Sequence, residues 1–203
     1  MTKADGQPED LAERTVGILL AGGLSRRYGS PKAFARYEGR LFHERAYEAL
    51  SAACGRVAVS SAASLAERFP DAYDVQVDLH EIAGRGPLAG ICTVMRRIPA
   101  ERYLVLPCDM PRVEPRTIRR LTELAEAHNE ADVVAVAVSA GETFLPLLGV
   151  WRTGLADVLE QEISADRLSV MKLLAKLNTV WLDASRLDED LRVFDNFNTP
   201  DAH

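Results

Sequence analysis

Residues 16–32 read VGILLAGGLSRRYGSPK, an apolar run that ends in a glycine pair and continues into two arginines and a lysine. The apolar part, Val16–Leu20, is predicted to form a short buried strand. The pair Gly22–Gly23 then lets the backbone approach a ligand more closely than any side chain would allow. The countercharge comes from Arg26, Arg27 and Lys32. Such a loop indicates a phosphate site directly after the first strand.

Length and composition are those of an ordinary globular protein. The chain has 203 residues, of which 47% are hydrophobic and 27% are charged, enough for one well-buried α/β core. Its formal net charge of -6 argues against a general nucleic-acid binder, because phosphate backbones are held mainly by an excess of Lys and Arg. An anion site in this chain is therefore expected to be local, and no nucleic-acid partner is predicted.

The cysteines and the N-terminal segment indicate where the protein works. Cys54, Cys92 and Cys108 are odd in number and lack the spacing of a zinc site, so neither a disulfide framework nor zinc is predicted. A reducing cytoplasm fits this pattern. Residues 1–15 are polar and lack the apolar centre of a signal peptide, so we expect a loose tail before one domain over residues 16–203. No apolar run approaches the roughly 18 residues of a membrane span, and no membrane contact is expected.

Short β-branched runs alternate with stretches of helical periodicity along the chain. Alternation of this kind predicts a mostly parallel sheet, and here a single-domain, three-layer, Rossmann-like α/β fold. After Gly141 the rhythm changes, and we expect an antiparallel strand in this C-terminal half. The predicted strands are Val16–Leu20, Arg56–Ser60, Tyr73–Val77, Tyr103–Leu106, Asp132–Val138, Thr143–Trp151 and Thr179–Leu182. The predicted helices are Leu41–Ala53, Pro87–Arg97, Pro115–His128, Leu155–Glu162 and Ser169–Lys176.

The loop after the first strand does not follow the two best-known phosphate-loop patterns. A Walker loop requires Lys directly after its second glycine, but Ser30 and Pro31 stand between Gly29 and the lysine. A dinucleotide fingerprint requires GxGxxG, which Gly22–Gly23 does not supply. On glycine and charge content alone, a glycine-rich turn with solvated arginines is an equal alternative.

A single carboxylate, Asp109, follows the apolar run LVLP at residues 104–107. Ligand sites in open parallel sheets gather at the carboxyl ends of strands, so Asp109 and Gly22–Gly23 are expected at the same edge. A lone aspartate after a strand is more often a turn former, but the flanking Pro-Cys-Asp-Met-Pro sequence favours a site. The neighbouring Cys108 is predicted to be a packing residue, because no histidine lies close in sequence to activate it.

The order of residues in the loop resembles the signature of the nucleoside triphosphate transferase family, and most closely that of its molybdenum cofactor guanylyltransferases. The match reads LAGG-x-S-x-R-x-G-x-x-K over residues 20–32. Three further segments match in the family's order: Asp78 with GPLAG at 86–90, PCDMP at 107–111, and DNFNTPD at 195–201. The resemblance covers nearly the whole chain after the predicted tail and implies a nucleotidyltransferase fold.

This resemblance implies a nucleotide site built from the first three motifs. In the family the glycine backbone lies against the base, and the positions of Arg27 and Lys32 hold the triphosphate. The position of Asp109 binds Mg²⁺, a cation that prefers one or two carboxylates together with water and phosphate oxygens. Catalytic roles are thus expected for Arg27, Lys32 and Asp109, whereas Arg26 is expected in solvent. The implied nucleotide-binding residues are Leu20, Ala21, Gly22, Gly23, Lys32, Asp78, Gly86, Pro87 and Asp109.

Base specificity is the point on which the motifs differ. Pro31 stands where the guanylyl branch often has Asp and is closer to the cytidylyltransferase relatives, and Tyr28 replaces a usual Met. The segment from Asp78 to GPLAG matches the guanylyl branch, and a carboxylate can accept from both the N1–H and the N2 amino group of guanine. The alternatives are a turn or capping role for Asp78, and close packing of a helix on the sheet for Gly86 and Gly90.

The C-terminal motif implies contacts with a pterin. In an extended segment Asn196 and Asn198 share one face, where their amides can hydrogen-bond a polar pterin, and Phe197 faces the core. Asn-Thr-Pro-Asp is also a helix-start signal, and the two interpretations are compatible. Arg167 aligns with an arginine that the family uses near the pterin phosphate, with a solvated helix start as the alternative.

Together the motifs predict a guanylyltransferase that joins GMP from GTP to the phosphate of molybdopterin and releases pyrophosphate. Mg²⁺ is the expected cofactor, and proteins that deliver molybdopterin or accept the product are the expected partners. The alternatives are a cytidylyltransferase acting on the same cofactor, a guanylyltransferase acting on another phosphorylated small molecule, and a non-catalytic nucleotide-binding protein. Against the last, a mere scaffold requires no metal ligand beside its phosphate loop.

Overall fold

In the part of the chain that the structure describes, the predicted strands form one seven-stranded sheet, and residues 36–41 form a separate two-stranded hairpin. The computed structural model describes residues 8–22, 31–138 and 142–198. Within these residues every predicted strand is present, with its ends shifted by one residue at most. The strands, numbered in chain order, are β1 Thr15–Leu20, β2 Arg36–Tyr37, β3 Arg40–Leu41, β4 Arg56–Ser61, β5 Asp74–Val77, β6 Arg102–Pro107, β7 Val133–Val138, β8 Thr143–Arg152 and β9 Thr179–Asp183.

The sheet runs in the order β5-β4-β1-β6-β8-β7-β9. Its neighbours are parallel except at β8, which is antiparallel to both β6 and β7. This confirms the mostly parallel sheet with an antiparallel strand in the C-terminal half. In register, Leu20 at the end of β1 faces Ser60 on β4 and Pro107 on β6, so the carboxyl ends of these strands are level. Residues that follow them meet at one edge of the sheet.

Helices cover both faces of the sheet and complete the three predicted layers. The helices are α1 Pro8–Glu13, α2 Phe42–Ser51, α3 Pro87–Arg97, α4 Pro115–Glu126, α5 Ala156–Ser164 and α6 Val170–Leu174. On one face α2 and α4 pack around Leu50, Leu104 and Ile118, all fully buried. On the other, α3, α5 and α6 pack around Leu88 and Trp151. Among the described helices, none has the length and apolar character needed to cross a membrane.

The sequence patterns have simple physical causes. Strand β1 is buried on both faces, with Ile18 against the α3 side and Leu19 against the α2 side, which is why it reads as a continuous apolar run. Helices α3 and α4 begin at Pro87 and Pro115, where the missing N–H of proline costs no hydrogen bond. The two prolines therefore predicted the first residue of each helix correctly.

The N-terminal end of the domain differs from the predicted loose tail over residues 1–15. Helix α1 lies within that segment, and β1 begins at Thr15, a residue that is 1% exposed. The Thr15 hydroxyl donates to the carbonyl of Leu11 at 2.8 Å, and the Gly55 N–H donates to the carbonyl of Ala12 at 2.7 Å. Carbonyls at the end of a helix lack partners within it, so these bonds tie α1 to the sheet. Part of the predicted tail is therefore helical and bonded to the sheet, and the domain boundary at residue 16 stays a prediction.

Candidate active site

A cavity of about 630 Å³ opens where the carboxyl ends of β1, β4, β5 and β6 meet. Its volume is typical of sites that enclose a small organic ligand. The predicted residues that line it are Leu20, Gly22, Lys32, Asp78, Gly86, Pro87 and Asp109. Three motifs that lie far apart in the sequence therefore converge on one cavity.

Lys32 connects the cavity to the fourth motif. It begins a short 3₁₀ turn, Lys32–Phe34, and its Nζ donates to Asp109 Oδ2 at 2.9 Å and to Asn198 Oδ1 at 2.6 Å. The Asp109 side chain is 22% exposed, so the contact is sheltered but open to a ligand. The arrangement offers a cation that can bind phosphate and a carboxylate that can bind a hard metal ion.

The C-terminal segment is held in place by its backbone and by one aromatic ring. The Phe197 N–H donates to the Asp109 carbonyl at 2.9 Å. The Phe197 ring is 2% exposed and makes edge contacts with Tyr37 and Phe42, at centroid distances of 5.2 and 6.0 Å. The predicted inward position of Phe197 is confirmed. Both Asn196 and Asn198 are exposed, and Asn198 accepts a hydrogen bond from Lys32.

Asp78 follows β5 and turns toward the loop that precedes α3. Its Oδ2 accepts from the Gly84 N–H at 3.1 Å. Burial raises the pKa of this carboxyl above its ordinary value of 3.8, while the Gly84 hydrogen bond and the charge of Arg97 oppose the shift. The predicted turn role and the predicted nucleotide role are thus both open to Asp78, because it bonds the loop and also lines the cavity.

Glycines near the cavity serve two different needs. A Cβ on Gly90 would collide with Ser60 Oγ, so this glycine lets α3 pack closely on β4, as predicted. Gly22 is also closely packed, because a Cβ there would lie 3.2 Å from the backbone nitrogen of Ala62. Gly86 differs from the packing prediction: its surroundings are open, and its φ of 75° is what requires glycine.

Ala21 supports the cavity without lining it. It is 1% exposed, and its N–H donates to the Ser60 carbonyl at 2.9 Å, extending the pairing of β1 with β4. Ala21 is therefore buried next to the cavity and does not line it, and its predicted contact with the nucleotide stays a prediction. Ser60 and Ser61 line the cavity and were not predicted. They end a predicted strand next to β1, so the carboxyl-edge rule could have found them.

Cys108 lines the cavity as a packing residue. It is buried, and its N–H donates to the Leu20 carbonyl at 3.1 Å. Burial, assisted by the neighbouring charge of Asp109, raises the pKa of the thiol to about 12. A thiol in that state is protonated at neutral pH and is a poor nucleophile.

Arg167 lies away from the cavity wall. Its Nε and Nη2 donate to the two carboxylate oxygens of Glu162 at 3.0 and 2.9 Å. The adjacent Asp166 forms an ion pair with Arg85, which stands between the cavity residues Gly84 and Gly86. Asp166 therefore lies near the cavity loop, whereas Arg167 pairs with Glu162 away from the cavity. The predicted contact of Arg167 with pterin stays a prediction.

Some predicted residues fall outside the described part of the chain. These are Gly23, Arg26, Arg27, Tyr28 and the range 199–201. The predicted contacts of Gly23 with the base and of Arg27 with the triphosphate therefore stay predictions.

The donor set at Asp109 fits Mg²⁺. Across residues 8–22, 31–138 and 142–198, no group of three or more His, Cys, Asp and Glu side chains could hold a metal ion by itself. Mg²⁺ does not require one, because it commonly takes one or two carboxylates and fills its other positions with water and phosphate oxygens. A metal at this site would depend on Asp109 together with a bound triphosphate.

Comparison with known proteins identifies the family. Residues 17–180 match the MobA-like NTP transferase domain. This chain belongs to the MobA-like NTP transferase family. A Bacillus subtilis protein is 34% identical over 188 residues, covering 92% of this chain and 91% of that protein. A Geobacillus protein is 35% identical over 189 residues, covering 92% and 95%. Both carry the name "Probable molybdenum cofactor guanylyltransferase".

Solved structures share the fold of this MobA-like chain. Molybdopterin-guanine dinucleotide biosynthesis protein A from Archaeoglobus fulgidus is similar with a TM-score of 0.76 at 26% identity, covering 92% of this chain and 93% of that one. CMP:2-keto-3-deoxy-manno-octonic acid synthetase, solved with CTP, is similar with a TM-score of 0.60 at 16% identity, covering 84% and 90%. The second likeness concerns the fold alone. The predicted nucleotidyltransferase fold is confirmed.

Proposed function

We propose that this protein is a guanylyltransferase that transfers GMP from GTP to the phosphate of molybdopterin and releases pyrophosphate. Its family membership supports nucleotidyl transfer, and the names of the Bacillus and Geobacillus relatives support this acceptor. The observation that carries the proposal is the meeting of Lys32, Asp109 and Asn198 beside a cavity of nucleotide size. A protein that only binds nucleotide requires a phosphate loop but no carboxylate beside it.

The reaction exchanges one P–O bond for another. A phosphate oxygen of the acceptor attacks the α-phosphorus of GTP. The bond from that phosphorus to the bridging oxygen breaks, and its electron pair leaves with pyrophosphate. The protein contributes alignment and charge stabilisation, which dominate phosphoryl transfers. No protein nucleophile is required, in agreement with the protonated thiol of Cys108.

Lys32 is proposed to bind the triphosphate. Its ammonium is held in the cavity wall by Asp109 and Asn198, so its position does not depend on the ligand. A positive charge fixed before the reaction stabilises the negative charge that grows on the leaving pyrophosphate. Arg27, from the same loop, is proposed to add a second cation.

Asp109 is proposed to hold Mg²⁺. When bound, this ion neutralises the triphosphate and acts as a Lewis acid on its oxygens. The backbone of Asp109 is fixed from two sides, because the preceding Cys108 N–H donates to the Leu20 carbonyl and the Asp109 carbonyl accepts from Phe197. The carboxylate is thus presented to the cavity by a hydrogen-bonded turn at the end of β6.

Asp78 is proposed to read the guanine base. A carboxylate has about four acceptor positions, so the hydrogen bond from Gly84 leaves capacity for the N1–H and N2 amino group of guanine. Cytosine has no such pair of adjacent donors, so Asp78 favours GTP over CTP. CTP is the alternative substrate, because proline at position 31 resembles the cytidylyltransferase relatives.

The acceptor is proposed to bind beside residues 195–198. Asn198 is joined to the site through Lys32, and the exposed Asn196 offers a second amide nearby. Arg167 has the weakest support of the three proposed pterin contacts, because Glu162 already occupies its guanidinium.

We also propose that the protein works in the cytoplasm, beside proteins that deliver molybdopterin or receive the product. Cys54, Cys92 and Cys108 are buried free thiols, a state that suits a reducing compartment. Fractionation of cells that express a tagged chain tests the compartment, and recovery in a membrane or secreted fraction would contradict it.

Nucleotide choice is tested by thermal unfolding with GTP, CTP and ATP, each with and without Mg²⁺. A ligand that binds only the folded state raises the unfolding temperature. We expect GTP with Mg²⁺ to produce the shift, and GTP alone to produce a smaller one. A larger shift with CTP would contradict the assignment of guanine.

Catalysis is tested by pyrophosphate release with molybdopterin as acceptor. The expected result is stoichiometric release with GTP, slowed by roughly a hundredfold to a thousandfold in the Asp109→Asn variant. Saturable binding of Mg-GTP without any release in the presence of molybdopterin would support the non-catalytic alternative or a different acceptor. A panel of other phosphorylated small molecules then separates those two outcomes.

A further inference from the structure

A second cavity, of about 310 Å³, lies outside the nucleotide cavity. It is bounded by hairpin β2–β3, helix α2, the start of α4 and the segment before residue 194. The two cavities have no lining residue in common within the described chain. Four arginines line the second one: Arg45, Arg112, Arg116 and Arg192. Three carboxylates accompany them: Glu38, Glu114 and Asp190.

Two of these arginines are fixed before any ligand binds. The Arg45 Nε donates to the Pro111 carbonyl at 2.7 Å, and the Arg112 Nε donates to the Tyr37 hydroxyl at 3.0 Å. Both guanidinium groups lie over the Tyr37 ring, 5.0 and 5.5 Å from its centroid, and Arg112 also lies 5.0 Å from the ring of Phe197. Stacking of this kind holds the planar groups in place and leaves little rotational freedom to lose on binding.

The carboxylates that pair with these two arginines are weak competitors. Arg45 Nη1 lies 3.2 Å from Glu38, and Arg112 Nη1 lies 3.1 Å from Asp195. The side chains of Glu38 and Asp195 are 64% and 58% exposed, so water and salt screen both pairs. The Arg45 side chain, by contrast, is only 19% exposed. The Arg112 side chain is 31% exposed, so both cations are more sheltered than their carboxylate partners, which can move into solvent.

We propose that Arg45 and Arg112 form an anion site for a dianionic phosphate group, separate from the nucleotide cavity. A phosphate group carries more charge than a carboxylate and presents three oxygens, which match the fork of a guanidinium. The cavity exceeds what a single phosphate group fills, so the site accepts free phosphate and the phosphate of a small monoester. This site goes beyond the proposed transferase reaction and does not depend on it.

The site is tested by following the arginine Nε–Hε signals in ¹⁵N–¹H spectra of the full chain. The probes are inorganic phosphate and glycerol 3-phosphate, at a pH where both are dianionic and at constant ionic strength against chloride. We expect saturable shifts of the Arg45 and Arg112 signals with both probes, assigned by their loss in Arg45→Gln and Arg112→Gln. The double variant, followed through the signals of Arg116 and Arg192 in the same cavity, is expected to bind at least tenfold more weakly, since charge-assisted hydrogen bonds from both arginines are lost.

Three further variants locate the effect. Glu38→Gln removes a competitor and keeps both arginines, so we expect affinity to rise about threefold. Arg40→Gln on the same hairpin removes an equal charge that pairs with Glu48 outside the cavity, and should leave affinity unchanged. Lys32→Ala should also leave it unchanged, which separates this site from the nucleotide cavity.

Absence of saturable shifts with either probe, or equal shifts with chloride, would overturn the proposal. Equal weakening by Arg40→Gln and Arg45→Gln would do so as well, because it would indicate a general charge effect. If the double variant unfolds at a lower temperature, its weaker binding could reflect loss of folding. The Glu38→Gln variant, which keeps both arginines, then decides: an unchanged or lower affinity for phosphate would overturn the proposal.

Discussion

Two clusters of charged side chains each contain one carboxylate, and they differ in how many cations bind that carboxylate. The cavity cluster consists of Lys32, Asp109 and Asn198. The helix cluster, on α5 and α6 and the residues beside them, consists of Glu162, Arg167 and Lys176. In the cavity cluster one ammonium is shared between a carboxylate and a neutral amide. In the helix cluster one carboxylate receives four hydrogen bonds from two cations.

The difference separates a structural cluster from a ligand site. Arg167, and after it Lys176, lowers the pKa of the Glu162 carboxyl to about 2, below its ordinary value of 4.5. Both oxygens of that carboxylate are engaged, so little acceptor capacity is left for a ligand. Among the residues that the structure describes, Asp109 has one cationic neighbour, Lys32, and it faces a cavity. A carboxylate that keeps free acceptor capacity beside a cavity is therefore a better candidate for ligand binding than one whose oxygens are all engaged by cations.

The largest effect is expected from Asp109→Asn. The substitution keeps the shape of the side chain but removes the charge that we assign to Mg²⁺ and to the position of Lys32. Loss of a preorganised charge contact lowers the rate by roughly a hundredfold to a thousandfold, measured here as pyrophosphate release. Asp157→Asn, at an exposed ion pair with Arg96, is the matched control and should retain full activity. An Asp109→Asn enzyme that turns over at the rate of the control would remove Asp109 from the mechanism.

Asp78→Asn is expected to raise the KM for GTP about tenfold, because a hydrogen bond to a charged group is lost. Acid should have a similar effect on the unsubstituted protein. Burial raises the pKa of Asp78, so its carboxyl takes up a proton at a higher pH than an ordinary aspartate does. GTP affinity measured by calorimetry should thus fall as the pH is lowered toward that raised pKa. In Asp78→Asn this part of the pH dependence should vanish; an unchanged profile would mean that Asp78 does not read the base.

Asn198→Ala is expected to have a smaller effect, about threefold to tenfold on kcat/KM, because Lys32 loses one neutral acceptor but keeps Asp109. Asn196→Ala provides the comparison, since Asn196 is exposed and belongs to the same segment. We expect Asn198→Ala to raise the KM for GTP and Asn196→Ala to leave it unchanged. Equal effects of the two variants on GTP would show that Asn198 does not act through Lys32.

The smallest effect on nucleotide binding is expected in the helix cluster. Glu162→Gln should leave the Kd for GTP unchanged and lower the unfolding temperature by a few degrees. The folded-state pKa of Glu162 is depressed, so the stability from this carboxylate is present above pH 4.5 and is lost as the pH falls toward 2. The variant should therefore show a flatter acid limb in a plot of unfolding temperature against pH. A steep limb identical to that of the unsubstituted protein would assign the acid sensitivity to other carboxylates.

Much of the fold could be predicted because the strands are buried on both faces. A strand such as β6 is mostly apolar, and its apolar run Tyr103–Leu106 is visible in the sequence. Helix α1 could not be predicted, since its end depends on a hydrogen bond to Gly55 on a distant turn. The β2–β3 hairpin was also missed. Its turn uses Glu38 and Gly39, with φ of 49° and 81°, where glutamate replaces the more usual asparagine.

The candidate site could be predicted motif by motif but not as an arrangement. The carboxyl-edge rule placed Asp109 and the glycine loop together, because the register of β1 and β6 makes their ends level. That Lys32 bonds Asn198 follows from the path of the C-terminal segment, which no local pattern encodes. The partner of Arg167 was missed for a related reason. Glu162 lies five residues earlier, and a helix end and a turn separate the two.

The hydrogen bond from Lys32 to Asn198 joins residues that are 166 positions apart. Contacts of such long separation tend to form late, because closing a long loop costs conformational entropy before any contact compensates for it. We therefore expect the helices and the central strands to assemble first, and the contact between Lys32 and Asn198 to form in the last folding step. During refolding, the circular dichroism signal of the backbone is expected to recover before the ability to bind GTP.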